Sequence, residues 1–138
     1  MLERSYDTAF INRVINDPAV RPFIGLPDIG YVDAEASVAQ DENWFLMDEH
    51  GGFWLAWSAP KVREVHTFIL PEGRGAWGAN RRKQMLDYAK KNGVRTLWTK
   101  IPPDMRHVER FARQGGMKPT GDVLKTFGVN YRIFCMEL

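Results

Sequence analysis

The chain of 138 residues is short of several things, and each shortage closes off a class of function. It has one cysteine, Cys135, so no disulfide can form within it. That cysteine lies in the apolar run 132–138 and reads as a buried core thiol rather than a nucleophile. No apolar run approaches the roughly 20 residues of a membrane-spanning helix. Residues 1–10 carry Glu3, Arg4 and Asp7 in place of an apolar leader. The expectation is therefore a soluble cytoplasmic protein with no membrane partner. The three histidines, His50, His66 and His107, are far apart and no cysteine pair accompanies them, so no metal site is expected. Neither a Gly-x-Ser-x-Gly elbow nor a Gly-Lys-Ser/Thr phosphate loop occurs. The net charge is only +2, which does not by itself point to nucleic acid.

What is present suits one mixed α/β domain over residues 1–138, without repeat or linker. Aromatics are plentiful, with 5 Trp and 8 Phe, enough for a packed core or an aromatic groove. The basic residues crowd the middle third, among them Arg74, Arg81, Arg82, Lys83, Lys100 and Arg110. They form either solvated helix faces or a surface for a phosphorylated ligand.

In chain order, residues 5–16 predict a helix capped by Ser5, with Phe10, Ile11, Val14 and Ile15 as its apolar stripe. Asn16-Asp17-Pro18 ends it. A short helical turn is expected over residues 18–23, and then a loop through Pro22, Gly25, Pro27 and Gly30. Residues 31–40 are ambiguous. Strands are expected over 43–48, 53–59 and 62–70, joined by turns at His50-Gly51-Gly52 and Pro60-Lys61, as an antiparallel meander. A helix should run from Ala76 or Trp77 to Lys91, stopped by Asn92-Gly93. A strand over 94–101 follows, and a helix from an Asp104 cap to Gln114. Two strands, 117–127 and 131–138, close the chain.

The organising stretch is 64–89, in which an apolar strand meets Pro71, Gly73, Gly75 and Gly78 and then a helix start. Unpaired amides beside a positive helix end suit phosphate. Gly75 and Gly78 permit close backbone approach, and Arg74 offers a forked phosphate contact.

Residues 44–138 resemble the GNAT superfamily of N-acetyltransferases. The resemblance rests on the meander, on Pro71-Glu72-Gly73-Arg74-Gly75, on the helix with Met85, Leu86 and Ala89 inward, and on the Glu109–Gly121 stretch. The loop is similar to looser forms encoded by bacteriophages. The resemblance implies a mostly antiparallel, twisted central sheet flanked by helices. It implies acetyl-CoA as cosubstrate, held by Phe68, Ile69, Leu70, Gly73, Arg74, Gly75, Ala76, Gly78, Ala79 and Arg81. It further implies transfer to a small-molecule or protein amine by direct attack on the thioester, the strand before the loop splaying from the next to admit the cosubstrate.

The candidate bases are Glu64 and His66, which two-residue spacing puts on one strand face. Tyr131 is the candidate acid. Three departures from the family pattern stand out: Trp77 where a small residue is usual, Met105 where asparagine is, and Ala112 where the acid tyrosine is. They keep open a second reading, a GNAT-like binding or structural protein without catalysis, in a phage particle or directed at a host protein. For a phage-encoded chain the location is host cytoplasm or virion. A nucleic-acid binder using the basic middle third is a third reading, and a homodimer is left open.

Overall fold

In the strand Trp44–Asp48 (β2), Phe45 and Met47 are buried on one side and Leu46 on the other. This two-residue alternation builds two cores on opposite faces of a sheet. The computed structural model describes residues 1–24 and 30–138. The loop expected through Gly25 and Pro27 lies, at those positions, outside the described residues.

The sheet has seven strands in the order β1-β2-β3-β4-β5-β7-β6. They are Glu3–Arg4 (β1), β2, Gly51–Ala59 (β3), Val62–Ile69 (β4), Thr96–Ile101 (β5), Lys118–Thr126 (β6) and Val129–Glu137 (β7). Only β4 and β5 run parallel. The other five pairs are antiparallel, as the resemblance implied. On one face, helices Thr8–Ile15 (α1) and Glu35–Val38 (α2) cover Phe45, Met47 and Phe68 with Ile11, Val14, Ile15 and Val38. On the other, helices Ala76–Lys91 (α3) and Arg106–Gln114 (α4) cover Leu46, Phe53, Leu55, Val65, Leu97 and Phe134. No helix among the described residues is long and apolar enough to cross a membrane.

Several local expectations change. Ser5 is not the cap of α1. Its amide bonds Phe45 O at 2.7 Å, extending the β1 edge, and Asp7 caps the helix by accepting from Phe10 N at 3.1 Å. The glycines 51 and 52 are not the hairpin tip but the first two residues of β3. A Cβ on Gly52 would run into the Leu46 carbonyl, so glycine is needed there for strand approach rather than for a turn. The expected short helical turn is a single 3-10 turn at Arg21–Phe23, and α2 resolves the ambiguous segment. Asp104 does not cap α4: it has φ +66°, and Met105 occupies the cap position with no side-chain hydrogen bond.

Candidate functional site

β4 and β5 begin side by side at Val62↔Thr96, Arg63↔Leu97 and Glu64↔Trp98, and the ladder then stops. Thr99 Oγ1 donates to Val65 O at 3.1 Å, and past that point the two strands part. The wedge between them opens into a cleft of about 620 Å³, walled by β4, β5, α3 and α4.

The edge of β4 that faces the wedge follows from its hydrogen bonds. Val65 O accepts from Thr99, and Ile69 O accepts from Arg74 Nε at 3.4 Å, so both carbonyls point away from β3. Backbone groups alternate along a strand, so the Thr67 amide faces the wedge with those of Val65 and Ile69. Of the three residues expected to present backbone, Ile69 does so and lines the cleft. Phe68 and Leu70 are corrected. Leu70 N bonds His50 O at 2.9 Å, and the Phe68 side chain is fully buried in the α1–α2 core.

Next comes the turn. Gly75 is the cap residue of α3, with φ +89° and open space where a Cβ would stand. No side chain caps the helix, and its first amides have no partner within it. Gly75, Ala76, Gly78 and Ala79 all line the cleft. Gly73 does not: it is buried beneath Trp77, whose Cε3 would be 2.8 Å from a Cβ placed there. Trp77 turns away from the cleft toward His50, ring centroids 5.1 Å apart. The bulky residue at the loop's centre thus packs behind it and leaves the helix end accessible.

The arginines divide differently from expectation. Arg74 lines the cleft, but its Nη2 donates to Ala19 O at 2.6 Å, tying the turn to the segment after α1. Arg81 leaves the cleft altogether. It pairs with Asp48 at 2.8 Å and lies over the Trp77 ring at 4.7 Å. The next residue, Arg82, points inward: it lines the cleft, donates to Phe111 O at 2.8 Å and covers the Phe111 ring. Burial lowers its pKa from the ordinary arginine value. One residue along a helix is about 100° of rotation, which separates the two roles.

On the α1–α2 side of β4, Glu64 and His66 come together as their spacing implies. Glu64 Oε1 lies 3.3 Å from His66 Nε2, and Glu64 Oε2 lies 2.5 Å from Lys100 Nζ. Burial pushes the Glu64 carboxyl up. The hydrogen bonds and positive charge of His66 and Lys100 outweigh burial and hold it below the ordinary carboxylate value. His66 and Lys100 line the cleft, while Glu64 sits behind, between them. His66 stacks on Trp54 at 4.7 Å. Tyr131, the candidate acid, is buried at the start of β7 and is not part of the cleft wall; its ring centre is 6.0 Å from Lys100 Nζ. Met105, Val108, Phe111 and Ala112 give the cleft an apolar wall on α4, and at its mouth His107 meets Phe23 edge to face at 4.8 Å.

Lys100 was not read from the sequence as part of the catalytic group, whereas Arg82 was read, beside Arg81 at the start of the helix, as able to reach a phosphate. The signal for Lys100 was its two-residue spacing from Trp98, which places it on the Glu64 face only once β5 is known to lie beside β4.

No family model and no curated protein sequence matches the chain. Solved structures match over nearly its whole length. An acetyltransferase of the GNAT family from Bacillus anthracis has a TM-score of 0.69 and 14% identity, covering 99% of this chain and 96% of that one. The chain has the GNAT fold. Also similar is a spermidine N-acetyltransferase from Vibrio cholerae in complex with CoA and spermine (TM-score 0.73, 13% identity, 99% and 94% covered). So is yncA from Salmonella typhimurium with its cofactor acetyl-CoA (TM-score 0.74, 15% identity, 99% and 92% covered). In this GNAT fold the β4–β5 ladder stops at Glu64↔Trp98, short of the ends of both strands.

Proposed function

We propose that the chain is an acetyl-CoA-dependent N-acetyltransferase. The observation that carries this reading is the wedge where β4 leaves β5, together with the uncapped α3 N-terminus that faces it. The residues present fit the cosubstrate. The amides at the start of α3 and the Arg82 guanidinium would hold the pyrophosphate, and the open space at Gly75 admits it. The likeness to yncA with its acetyl-CoA and to a polyamine acetyltransferase with its CoA supports the assignment.

Acetyl-CoA supplies an activated acyl group, which an amine takes by forming a C–N bond as the C–S bond breaks. The wedge-facing amides of Thr67 and Ile69 are placed to donate to the thioester oxygen as it gains negative charge. An amine attacks only when neutral, and the Glu64–His66 pair is the group in the cleft suited to take its proton. The apolar wall from Met105, Val108 and Ala112 limits water at the thioester.

A second reading, binding without turnover, is favoured by one observation: the cleft-lining side chains at Met105, just before α4, and at Val108 and Ala112 on it are apolar. One experiment addresses both. Calorimetric and thermal-shift titrations with acetyl-CoA and CoA should show binding, with a stabilisation of about 2.7 kcal/mol at a hundred times Kd. A panel of polyamines, amino acids and peptide N-termini then reports thiol release. Absence of binding sinks both readings, and binding with no thiol release from any amine leaves the second.

A further inference from the structure

Cleft-lining side chains able to give up a proton are few among the described residues. Arginine keeps its proton, and no tyrosine lines the wall. His107 stands at the mouth against Phe23. His66 shares its Nε2 with Glu64 on the side assigned to the amine. Lys100 remains. It is two residues beyond the last β4–β5 pair, Glu64↔Trp98, so it stands at the apex of the wedge on the strand opposite His66.

Resting on the acetyltransferase reading, we propose that Lys100 is the acid that protonates the departing CoA sulfur, and that Glu64 returns the proton to it. The C–N bond forms and the C–S bond breaks. The proton leaving nitrogen passes to the Glu64–His66 pair. The proton arriving at sulfur comes from Lys100 Nζ. Glu64 touches both partners, 3.3 Å from His66 Nε2 and 2.5 Å from Lys100 Nζ, so it can pass the proton taken on one side to the amine lost on the other. One proton has then moved from nitrogen to sulfur, and the three side chains are restored. Ordinary lysine ammonium and tyrosine phenol titrate near 10.4 and 10, so a lysine can serve where a phenol would. The groups facing Lys100 are Glu64 and His66 from β4 and the Tyr131 ring from β7; the Trp98 ring of its own strand lies 5.8 Å away.

The contact can be read without knowing the acceptor. CoA is bound to the intact protein, occupancy is measured by calorimetry, and the bound thiol is titrated by the ultraviolet absorbance of its thiolate. An ammonium against the sulfur favours the thiolate, so the bound thiol should titrate below free CoA. In Lys100→Met it should rise by about one pH unit or more. Lys100→Gln serves if the methionine variant does not fold. Lys100→Arg keeps the charge and the low thiol value. Arginine does not release a proton, so kcat on the best amine of the panel should fall about 100-fold with KM little changed. An unchanged thiol titration in the neutral variants, with CoA still bound, overturns the Lys100 assignment alone. Undiminished kcat in Lys100→Arg overturns it as well. Failure of the unaltered protein to bind CoA overturns the acetyltransferase reading and this assignment together.

Discussion

Trp77 lies on Gly73 so closely that a Cβ there would be 2.8 Å from its Cε3 and 2.7 Å from the Cβ of His50. The glycine lets the indole fold back behind the turn, clear of the cleft. Gly73→Ala should therefore cost about 1–3 kcal/mol, the usual range for overpacking, measured by denaturant unfolding. Trp77→Ala should cost about 2–3 kcal/mol, below the full-burial range because the ring is only half-buried. Trp77→Phe should cost less than either, since the Trp77 Nε1 is buried without a partner. Acetyl-CoA affinity should change little in all three if the cleft is the binding site.

Arg74 and Arg82 both line the cleft but are engaged differently. Arg74 straps two backbone carbonyls, Ala19 O and Ile69 O. Its replacement by alanine should lower stability by about 1–2 kcal/mol. Arg82 lines the cleft from α3 and, in the proposed site, carries the phosphate role. Arg82→Ala should weaken CoA binding at least tenfold, and more at low salt than at high. Equal CoA affinity in Arg82→Ala and the unaltered protein would remove this residue from the binding site.

Thr99 Oγ1 donates to Val65 O at the apex of the wedge. Thr99→Val keeps the shape and leaves that carbonyl without its donor, at a cost of about 1 kcal/mol. Because the bond lies where the strands part, the variant should also speed amide exchange in β4 beyond residue 65. Hydrogen exchange measures this, and unaltered protection would show that the bond does not set the parting.

Asp48 accepts from the N-terminal amine at 2.9 Å and from Arg81 at 2.8 Å. Burial opposes its charge. The bonds from the amine, the Glu49 amide and Arg81 prevail and hold its pKa at about 2, against an ordinary 3.8. A lowered carboxylate stabilises the fold above its unfolded pKa, and the gain is lost as pH falls through the folded value. The Asp48 contribution should thus be complete above about pH 4 and vanish toward pH 2. Asp48→Asn should remove that part of the acid limb, read from unfolding at stepped pH.

The sequence alone determined the local elements of the site. The period-2 pattern around Glu64 and His66 put the two on one strand face, and they meet. The proline and glycines after Ile69 put the start of α3 at Ala76 or Trp77, and it begins at Ala76. These follow from interactions between residues a few positions apart, where spacing carries the information. Tertiary structure decided the rest. Strand pairing brings Lys100 to Glu64 across 36 positions. Asp48 draws Arg81 away across 33, and the Ala19 carbonyl claims Arg74 across 55. Whether an arginine serves a ligand or the fold depends on which carboxylate or carbonyl the folded chain sets beside it. That neighbour is fixed by strand order and by how the helices pack on the sheet. The parting of β4 from β5 is likewise a property of the sheet, visible in neither strand by itself.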